Sequence, residues 1–249
     1  MDKVKVAAVS YLNTKPLLYG FRDHPVSGHM QLSVDFPSRI AQQLIDGTVD
    51  LGLVPVAIIP FLPEHYIISD YCIGAEGPVA SVCLFSDVPL EEIREVYLDY
   101  QSRTSVVLAR LLLQDFWKIT PALLPAEPGY EEKIGGTTAG VVIGDRAFVQ
   151  RKKRKYIYDL AEAWINHTGL PFVFAAWISN KALPAHFEQA FNEATGAGLQ
   201  GPRLEKVIAE NPTDLFSLHD YYTRHISFEL SVQKRRGLAH FLESIKKLS

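Results

Sequence analysis

The chain has 249 residues, of which 47% are hydrophobic and 21% are charged, and its formal net charge is −3. This balance supplies a core for one large globular domain or two of ordinary size, and the slight acidity gives no indication of nucleic-acid binding. The two cysteines, Cys72 and Cys83, are too few for a disulfide framework and lie in an apolar stretch, where they are expected to stay reduced.

The N-terminus passes from Met1 into a strand pattern at Val4, without an apolar segment followed by a small-residue cleavage site. The sequence also lacks a run of roughly 18 apolar residues, the length that a membrane-spanning helix needs. We therefore expect a soluble, cytoplasmic protein with no membrane partner.

The first half of the chain alternates strand and helix patterns. Strands are predicted at 4–9, 32–36 and 50–56. A helix is expected to begin near Thr14, with Pro16 in its first turn, and another to run from an N-cap at Ser38 to Gly47. Strand and helix alternating at this spacing are typical of parallel crossovers in an open α/β sheet.

The pattern then changes twice along the chain. Apolar residues fill 71–86, but Gly74, Gly77 and Pro78 interrupt them, which predicts extended chain with a bend. The elements predicted next are strands at 96–98, 140–143 and 171–177 and helices at 104–117 and 158–167. Beyond Ser179 the predicted elements are all helical, at 187–194, 202–210, 215–225 and 228–248.

We expect this last helical block to return to the first sheet. The chain would then form a discontinuous lobe I, residues 1–86 and 178–249, and a lobe II, residues 87–177. Two chain crossings would join the lobes.

Polar clusters mark the start of one predicted helix in each lobe, at 10–16 and at 102–105. A helix N-terminus has free N–H groups and the positive end of the helix dipole, so it can bind an anion. Two such ends that face each other would suit a small dicarboxylate. Alternatively, Asn13 or Thr14 and Ser102 or Thr104 are helix caps and nothing more.

Longer runs of the sequence occur in an order that is similar to one known family. They are VSYLNTKPL at 9–17, SRTSV at 102–106, IGDRA at 143–147, DL at 159–160 with Trp164, TGLPFVFA at 168–175, and a tail around 222–223, 226–227 and 237–238. Together they resemble the chorismate dehydratases of the futalosine route to menaquinone.

The resemblance implies an α/β, two-lobed fold like that of the type II periplasmic binding proteins. Such a fold has open mixed sheets with helices on both faces, and a ligand cleft between the lobes. The implied reaction removes water from chorismate and gives 3-[(1-carboxyvinyl)oxy]benzoate, with no cofactor and no metal. The only implied partner is this small molecule, and the protein would be a monomer or a homodimer. The enolpyruvyl carboxylate of the substrate could act as the base.

The candidate site residues follow from the clusters and from the resemblance. Asn13 and Ser81 are the candidate catalytic residues, Ser81 because residues 77–81 are expected to cross the cleft. The candidate substrate-binding residues are Ser10, Tyr11, Thr14, Ser102, Arg103, Thr104, Ser105, Gly144 and Asp145. Arg103 can equally well be interpreted as part of a structural salt bridge. Asp145 can equally well be interpreted as a turn residue that follows a strand.

Three other functions remain open. A solute-binding protein of the same fold would normally be exported, which the absence of a leader disfavours. The sister 1,4-dihydroxy-6-naphthoate synthase family carries a His-Glu pair where this chain has Gly144-Asp145. The sensing half of a regulator would follow a DNA-binding helix pair, and none precedes this fold.

The spacing of the eight histidines also disfavours a metal site.

Overall fold

A computed structural model describes residues 3–248 of the protein. Within this range the strands are β1 (Val4–Val9), β2 (Met30–Asp35), β3 (Leu51–Pro55), β4 (Tyr66–Ala75), β5 (Val82–Ser86), β6 (Glu95–Leu98), β7 (Ala122–Pro125), β8 (Thr138–Ile143), β9 (Tyr156–Asp159), β10 (Phe172–Ser179) and β11 (Ser227–Glu229). The α-helices are α1 (Lys15–Tyr19), α2 (Pro37–Ile45), α3 (Arg103–Leu111), α4 (Asp145–Arg151), α5 (Leu160–Thr168), α6 (Ala185–Ala197), α7 (Gly201–Glu210), α8 (Leu218–Asp220) and α9 (Val232–Ile245).

These strands form two mixed sheets. The first has the order β11-β4-β10-β3-β1-β2, and the second has the order β7-β6-β8-β5-β9. In the first sheet β1 runs parallel to β2 and β3, whereas β10 runs antiparallel to β3 and β4. In the second, β6 is parallel to β7 and β8, and β5 is antiparallel to β8 and β9. The parallel crossovers predicted for 4–56 are confirmed.

The chain passes to the second sheet between β4 and β5 and returns between β9 and β10. The predicted lobe boundaries put β5 in lobe I and most of β10 in lobe II. Backbone pairing decides otherwise, because β5 bonds to β8 and β9 while β10 bonds to β3 and β4. Both crossings therefore come earlier in the chain than predicted. How the connecting loops divide between the lobes stays a prediction.

The longer strands agree with the sequence patterns, whereas β6 is the one predicted strand among those of three or four residues in the described chain. The prediction missed β7, β9 and β11, the last of which overlaps the start of the predicted helix 228–248. Strands of three or four residues carry too little periodicity to be recognised, and they form because a distant strand pairs with them. Ser38 is not the N-cap of α2, because Phe36 holds that position and the helix begins at Pro37. No helix within residues 3–248 combines the length and the hydropathy needed to cross a bilayer.

Asp159 stabilises the first crossing between the sheets. Its carboxylate accepts hydrogen bonds from the N–H of Val79 at 3.1 Å and of Ala80 at 2.7 Å, and it also caps α5. Ala80 has a left-handed φ of 65° and is the centre of a tight turn that the Ser81 N–H closes on the Val79 carbonyl at 2.8 Å. A non-glycine residue adopts this conformation only where surrounding contacts stabilise it. The buried carboxylate provides those contacts and so fixes Ser81.

We expect Asp159→Ala to lower the free energy of unfolding by about 2–4 kcal/mol, because buried N–H groups lose their acceptor and α5 loses its cap. Urea denaturation followed by circular dichroism measures the change. Asp214→Ala is the matched control, since Asp214 is exposed and its loss should change stability by less than about 0.5 kcal/mol. Equal effects of the two substitutions would contradict the role given to Asp159.

Candidate active site

A cavity lies between residues of the two sheets. The first sheet and its loops contribute Val9, Tyr11, Asn13, Thr14, Pro37, Leu53, Pro55, Ile73, Phe174 and Ala175. The crossing, the second sheet and its loops contribute Val79, Ser81, Val82, Ser102, Ser105, Ile143 and Gly144. Its mostly apolar wall and its few polar groups are those of a small-molecule site.

The loop after β1 forms one polar wall of the cavity. The chain turns there through a 3₁₀ segment, Leu12–Thr14, into the short helix α1, whose Pro16 lies in the first turn. The Thr14 hydroxyl is within 2.7 Å of the carbonyl oxygens of both Val9 and Tyr11. Thr14 is therefore occupied in shaping the loop, while Tyr11 and Asn13 line the cavity.

The start of α3 forms the opposite polar wall. Ser102 caps this helix, because its Oγ accepts a hydrogen bond from the Ser105 N–H at 3.0 Å, and the two hydroxyls are 2.9 Å apart. Both serines line the cavity. The positive end of the α3 dipole and two hydroxyls thus lie beside the space a ligand would occupy.

Seven of the eleven predicted site residues line the cavity, and four do not. Ser10 is exposed, and Arg103 pairs with the Gln42 side chain at 3.2 Å. The buried Thr104 hydroxyl accepts a hydrogen bond from the Ala57 N–H at 3.1 Å. The Leu12 N–H lies near the Asp145 carboxyl and favours its charged form. Arg103, Thr104 and Asp145 therefore connect the second-sheet half to the first.

A buried ionic network was not predicted. The Asp99 side chain is fully buried and lies 2.7 Å from Arg146, and it accepts a hydrogen bond from the Tyr130 hydroxyl at 2.9 Å. Arg146 also donates to Gln101, whose side-chain oxygen accepts the Tyr11 hydroxyl. The network thus reaches from the second sheet to the loop after β1. Arg146 lies inside the run 143–147, so that run could have pointed to it.

Two consecutive tyrosines were missed as well. Tyr221 and Tyr222 belong to a π-helical turn, Tyr221–His225, which follows α8. The Tyr221 hydroxyl lies 2.7 Å from Ser81 Oγ, and the Asn13 side chain lies near enough to lower the pKa of that hydroxyl. Tyr222 donates to the Leu12 carbonyl oxygen at 2.7 Å. π-Turns are frequent at functional sites, and the neighbouring Tyr222-Thr223 pair was the available sequence signal.

Among residues 3–248, no lysine, arginine or histidine lines the cavity. Any anion that binds there meets hydroxyl, amide and backbone groups instead of a cation. Over residues 3–248, no three His, Cys, Asp or Glu side chains are grouped so that they could hold a metal ion.

A family model described as "Menaquinone biosynthesis" matches residues 4–247. The chain belongs to this family. A chorismate dehydratase of Thermus thermophilus is 30% identical over 268 aligned positions, covering 94% of this chain and 92% of the relative. A chorismate dehydratase of Campylobacter jejuni is 24% identical, covering 97% of each chain. The family resemblance of the sequence runs is confirmed.

Solved structures show the same architecture at low identity. A protein of Archaeoglobus fulgidus superimposes with a TM-score of 0.76 at 12% identity, covering 99% of this chain and 97% of its own. The periplasmic aliphatic sulphonate binding protein of Escherichia coli gives a TM-score of 0.57 at 14% identity, covering 100% and 94%. Likeness at such identities concerns the fold alone, and it confirms the periplasmic-binding-protein-like fold.

Gly144 allows a direct test of the cavity wall in this family member. Its φ of 64° and ψ of −148° are accessible only to glycine at low cost, whereas an added Cβ would meet the Tyr11 ring at an ordinary 3.7 Å. We expect Gly144→Ala to cost about 1–3 kcal/mol through backbone strain. Thermal denaturation measures this cost. The control is Gly28→Ala, where φ is ordinary and the added methyl group meets nothing within 4 Å.

Asp145 should make stability depend on pH. Burial, opposed by the Leu12 N–H and by Lys15, raises the pKa of Asp145 above its ordinary value. Protonation therefore favours the folded state, and this contribution is complete below the ordinary pKa of about 3.9. It is lost as the pH rises through the raised folded-state pKa.

The neutral Asp145→Asn variant keeps an acceptor for the Leu12 N–H. We expect it to be more stable than the wild type at pH 7, with the difference shrinking towards pH 3.5. Urea titrations at several pH values measure the difference. A variant that is less stable at pH 7 would show that the charge of Asp145 is favourable.

Proposed function

We propose that the protein is a hydro-lyase that converts chorismate into 3-[(1-carboxyvinyl)oxy]benzoate in menaquinone biosynthesis. Membership of the family and two relatives named chorismate dehydratase support the proposal. The observation that carries it is the cavity, in which neutral hydrogen-bond donors from both sheets surround a largely apolar space. Chorismate has one carboxylate on its ring and one on its enolpyruvyl side chain, and such a cavity suits it.

The two polar walls suit the two carboxylates. Ser102, Ser105 and the N-terminus of α3 would bind one of them, and the loop of Tyr11 and Asn13 would bind the other. The apolar side chains of Ile73 and Phe174 would pack on the ring between them. Held in this way from both sides, the substrate is oriented before reaction.

The reaction removes a proton from C3 and the hydroxyl from C4, and the ring becomes aromatic. Negative charge moves towards the ring carboxylate as the C3 proton leaves, and the C4–O bond then breaks. Asn13 and Ser81 would donate hydrogen bonds to the reacting region, where they stabilise this charge and the departing oxygen. The proton lost from C3 ends on that oxygen, so one water molecule leaves.

The enolpyruvyl carboxylate of the substrate would act as the base. No lysine, arginine or histidine of the described residues lines the cavity, so no full positive charge lowers the pKa of that carboxylate. Hydrogen bonds from neutral donors lower this pKa, whereas the apolar wall raises it and makes the carboxylate a better proton acceptor. An analogue that lacks this carboxylate should bind but not react, and normal turnover of the analogue would exclude this base.

A solute-binding protein is the second candidate, because the fold is shared with the sulphonate binding protein. It would bind chorismate and leave it unchanged. The sister synthase remains the third, and it would not convert chorismate either. An assay with chorismate therefore distinguishes the dehydratase from the sister synthase.

The deciding experiment incubates the purified protein with chorismate and a metal chelator and separates the products by chromatography. Conversion to the enolpyruvyl benzoate is the expected result. Binding of chorismate in calorimetry without conversion would instead indicate a solute-binding protein. If the protein neither binds nor converts chorismate, chorismate is excluded as its ligand.

Asn13→Ala tests the assignment of the site. We expect kcat/KM to fall by about 10²–10³-fold, the usual cost of losing one preorganised donor. The melting temperature should change little, because Asn13 is only half-buried. Asn211→Ala, at the end of α7 and outside the cavity, is the matched control and should retain activity. Full activity of the Asn13→Ala variant would show that Asn13 does not contribute to catalysis.

A further inference from the structure

Tyr221 connects the two candidate catalytic residues. Its hydroxyl is 2.7 Å from Ser81 Oγ, and the Asn13 side chain lies near enough to lower the pKa of that hydroxyl. Asn13 lies in the loop after β1 of the first sheet, and Ser81 directly precedes β5 of the second. One phenol group therefore contacts both halves of the site.

The hydrogen-bond capacities of the Tyr221 and Ser81 hydroxyl groups determine which of them can donate to a ligand. A tyrosine hydroxyl has one proton to donate, and a serine hydroxyl has one of its own. When Tyr221 donates to Ser81 Oγ, the Ser81 proton stays available. Ser81 lines the cavity, and within residues 3–248 its hydroxyl has no other protein partner. That proton can then be donated to a ligand oxygen.

The ring of Tyr221 has little freedom to move. It is 1% exposed, and Phe148 and Phe216 meet it edge-on with ring centroids 5.3 Å and 5.2 Å away. Burial raises the pKa of Tyr221, opposed by Ser81 and Asn13, so the hydroxyl keeps its proton at neutral pH. The π-turn inserts one extra residue, which lets Tyr221 and Tyr222 both reach towards the loop after β1 and the crossing.

We propose that Tyr221 is a positioning residue for the dehydration, which lies between Asn13 and Ser81 and orients the Ser81 hydroxyl so that it donates a hydrogen bond to the departing C4 oxygen. This inference rests on the proposed function. In the reaction the C3 proton passes to the enolpyruvyl carboxylate and the C4–O bond breaks. The oxygen accepts the Ser81 hydrogen bond as it leaves, and it takes up the proton lost from C3. Tyr221 neither gains nor loses a proton overall.

The test is Tyr221→Phe, which removes the hydroxyl and keeps the aromatic packing. We expect kcat with chorismate to fall about 10–100-fold while KM changes less than about threefold, because the lost interaction acts on the transition state. Tyr66→Phe is the matched control, since the Tyr66 hydroxyl bonds only Glu64 within the described residues. It should leave both constants unchanged. An unchanged kcat for Tyr221→Phe would overturn the proposal.

A double-mutant cycle with Ser81→Ala separates positioning from general stability. If Tyr221 acts through Ser81, adding Tyr221→Phe to Ser81→Ala should lower kcat by less than about threefold further. Fully multiplicative losses would show that Tyr221 does not act through Ser81. Should Tyr221→Phe not fold, 4-fluorophenylalanine at position 221 keeps the size of the group but cannot donate, and the same loss of kcat is expected.

The two proposals fail in different ways. Wild-type protein that does not convert chorismate overturns the proposed function and, with it, the role of Tyr221. Wild-type protein that converts chorismate, together with a fully active Tyr221→Phe variant, overturns only the role of Tyr221.

Discussion

The cavity depends on one buried charge, the carboxylate of Asp99. It lies just beyond the end of β6, with its side chain fully buried, and Arg146 at the start of α4 neutralises it at 2.7 Å. Its oxygens also accept the backbone N–H groups of Gln101 at 2.8 Å and of Ile143 at 3.3 Å. A buried charge without such partners would cost several kcal/mol. These bonds therefore fix the ends of two neighbouring strands, where Ser102 and Gly144 enter the cavity wall.

The same network keeps its cation out of the cavity. The Arg146 guanidinium binds Asp99, Glu131 and Gln101 outside the cavity lining. The Arg103 guanidinium donates to the Gln42 side chain. The surface that faces a ligand is left with neutral donors and apolar side chains. Neutral donors orient a carboxylate and lower its pKa less than a full positive charge in contact with it would. Such a site suits the proposed reaction, in which a carboxylate of the substrate is the base.

The C-terminal segment completes the site from outside both sheets. After α8 the π-turn brings Tyr221 to Ser81 and Tyr222 to the Leu12 carbonyl, and β11 then pairs with β4. Lys234 of α9, which is fully buried, donates to the Ser227 carbonyl at 3.1 Å and to the Glu229 carbonyl and so stabilises that short strand. The last quarter of the chain thus holds the loop after β1 and the crossing in their relative positions.

The sequence by itself determined the elements with strong local patterns and much of the cavity wall. Strand β1, the Ser102 cap of α3 and the polar residues Tyr11, Asn13 and Ser81 could be found because periodicity, capping and polar clusters are properties of neighbouring residues. Only the tertiary structure decided which polar residues line the cavity. Thr104 and Asp145 turn to the backbone of the other half, while Tyr221 reaches Ser81 across 140 residues of chain. Such partners are chosen by sheet topology and by the need to satisfy buried polar groups, and no local pattern records either.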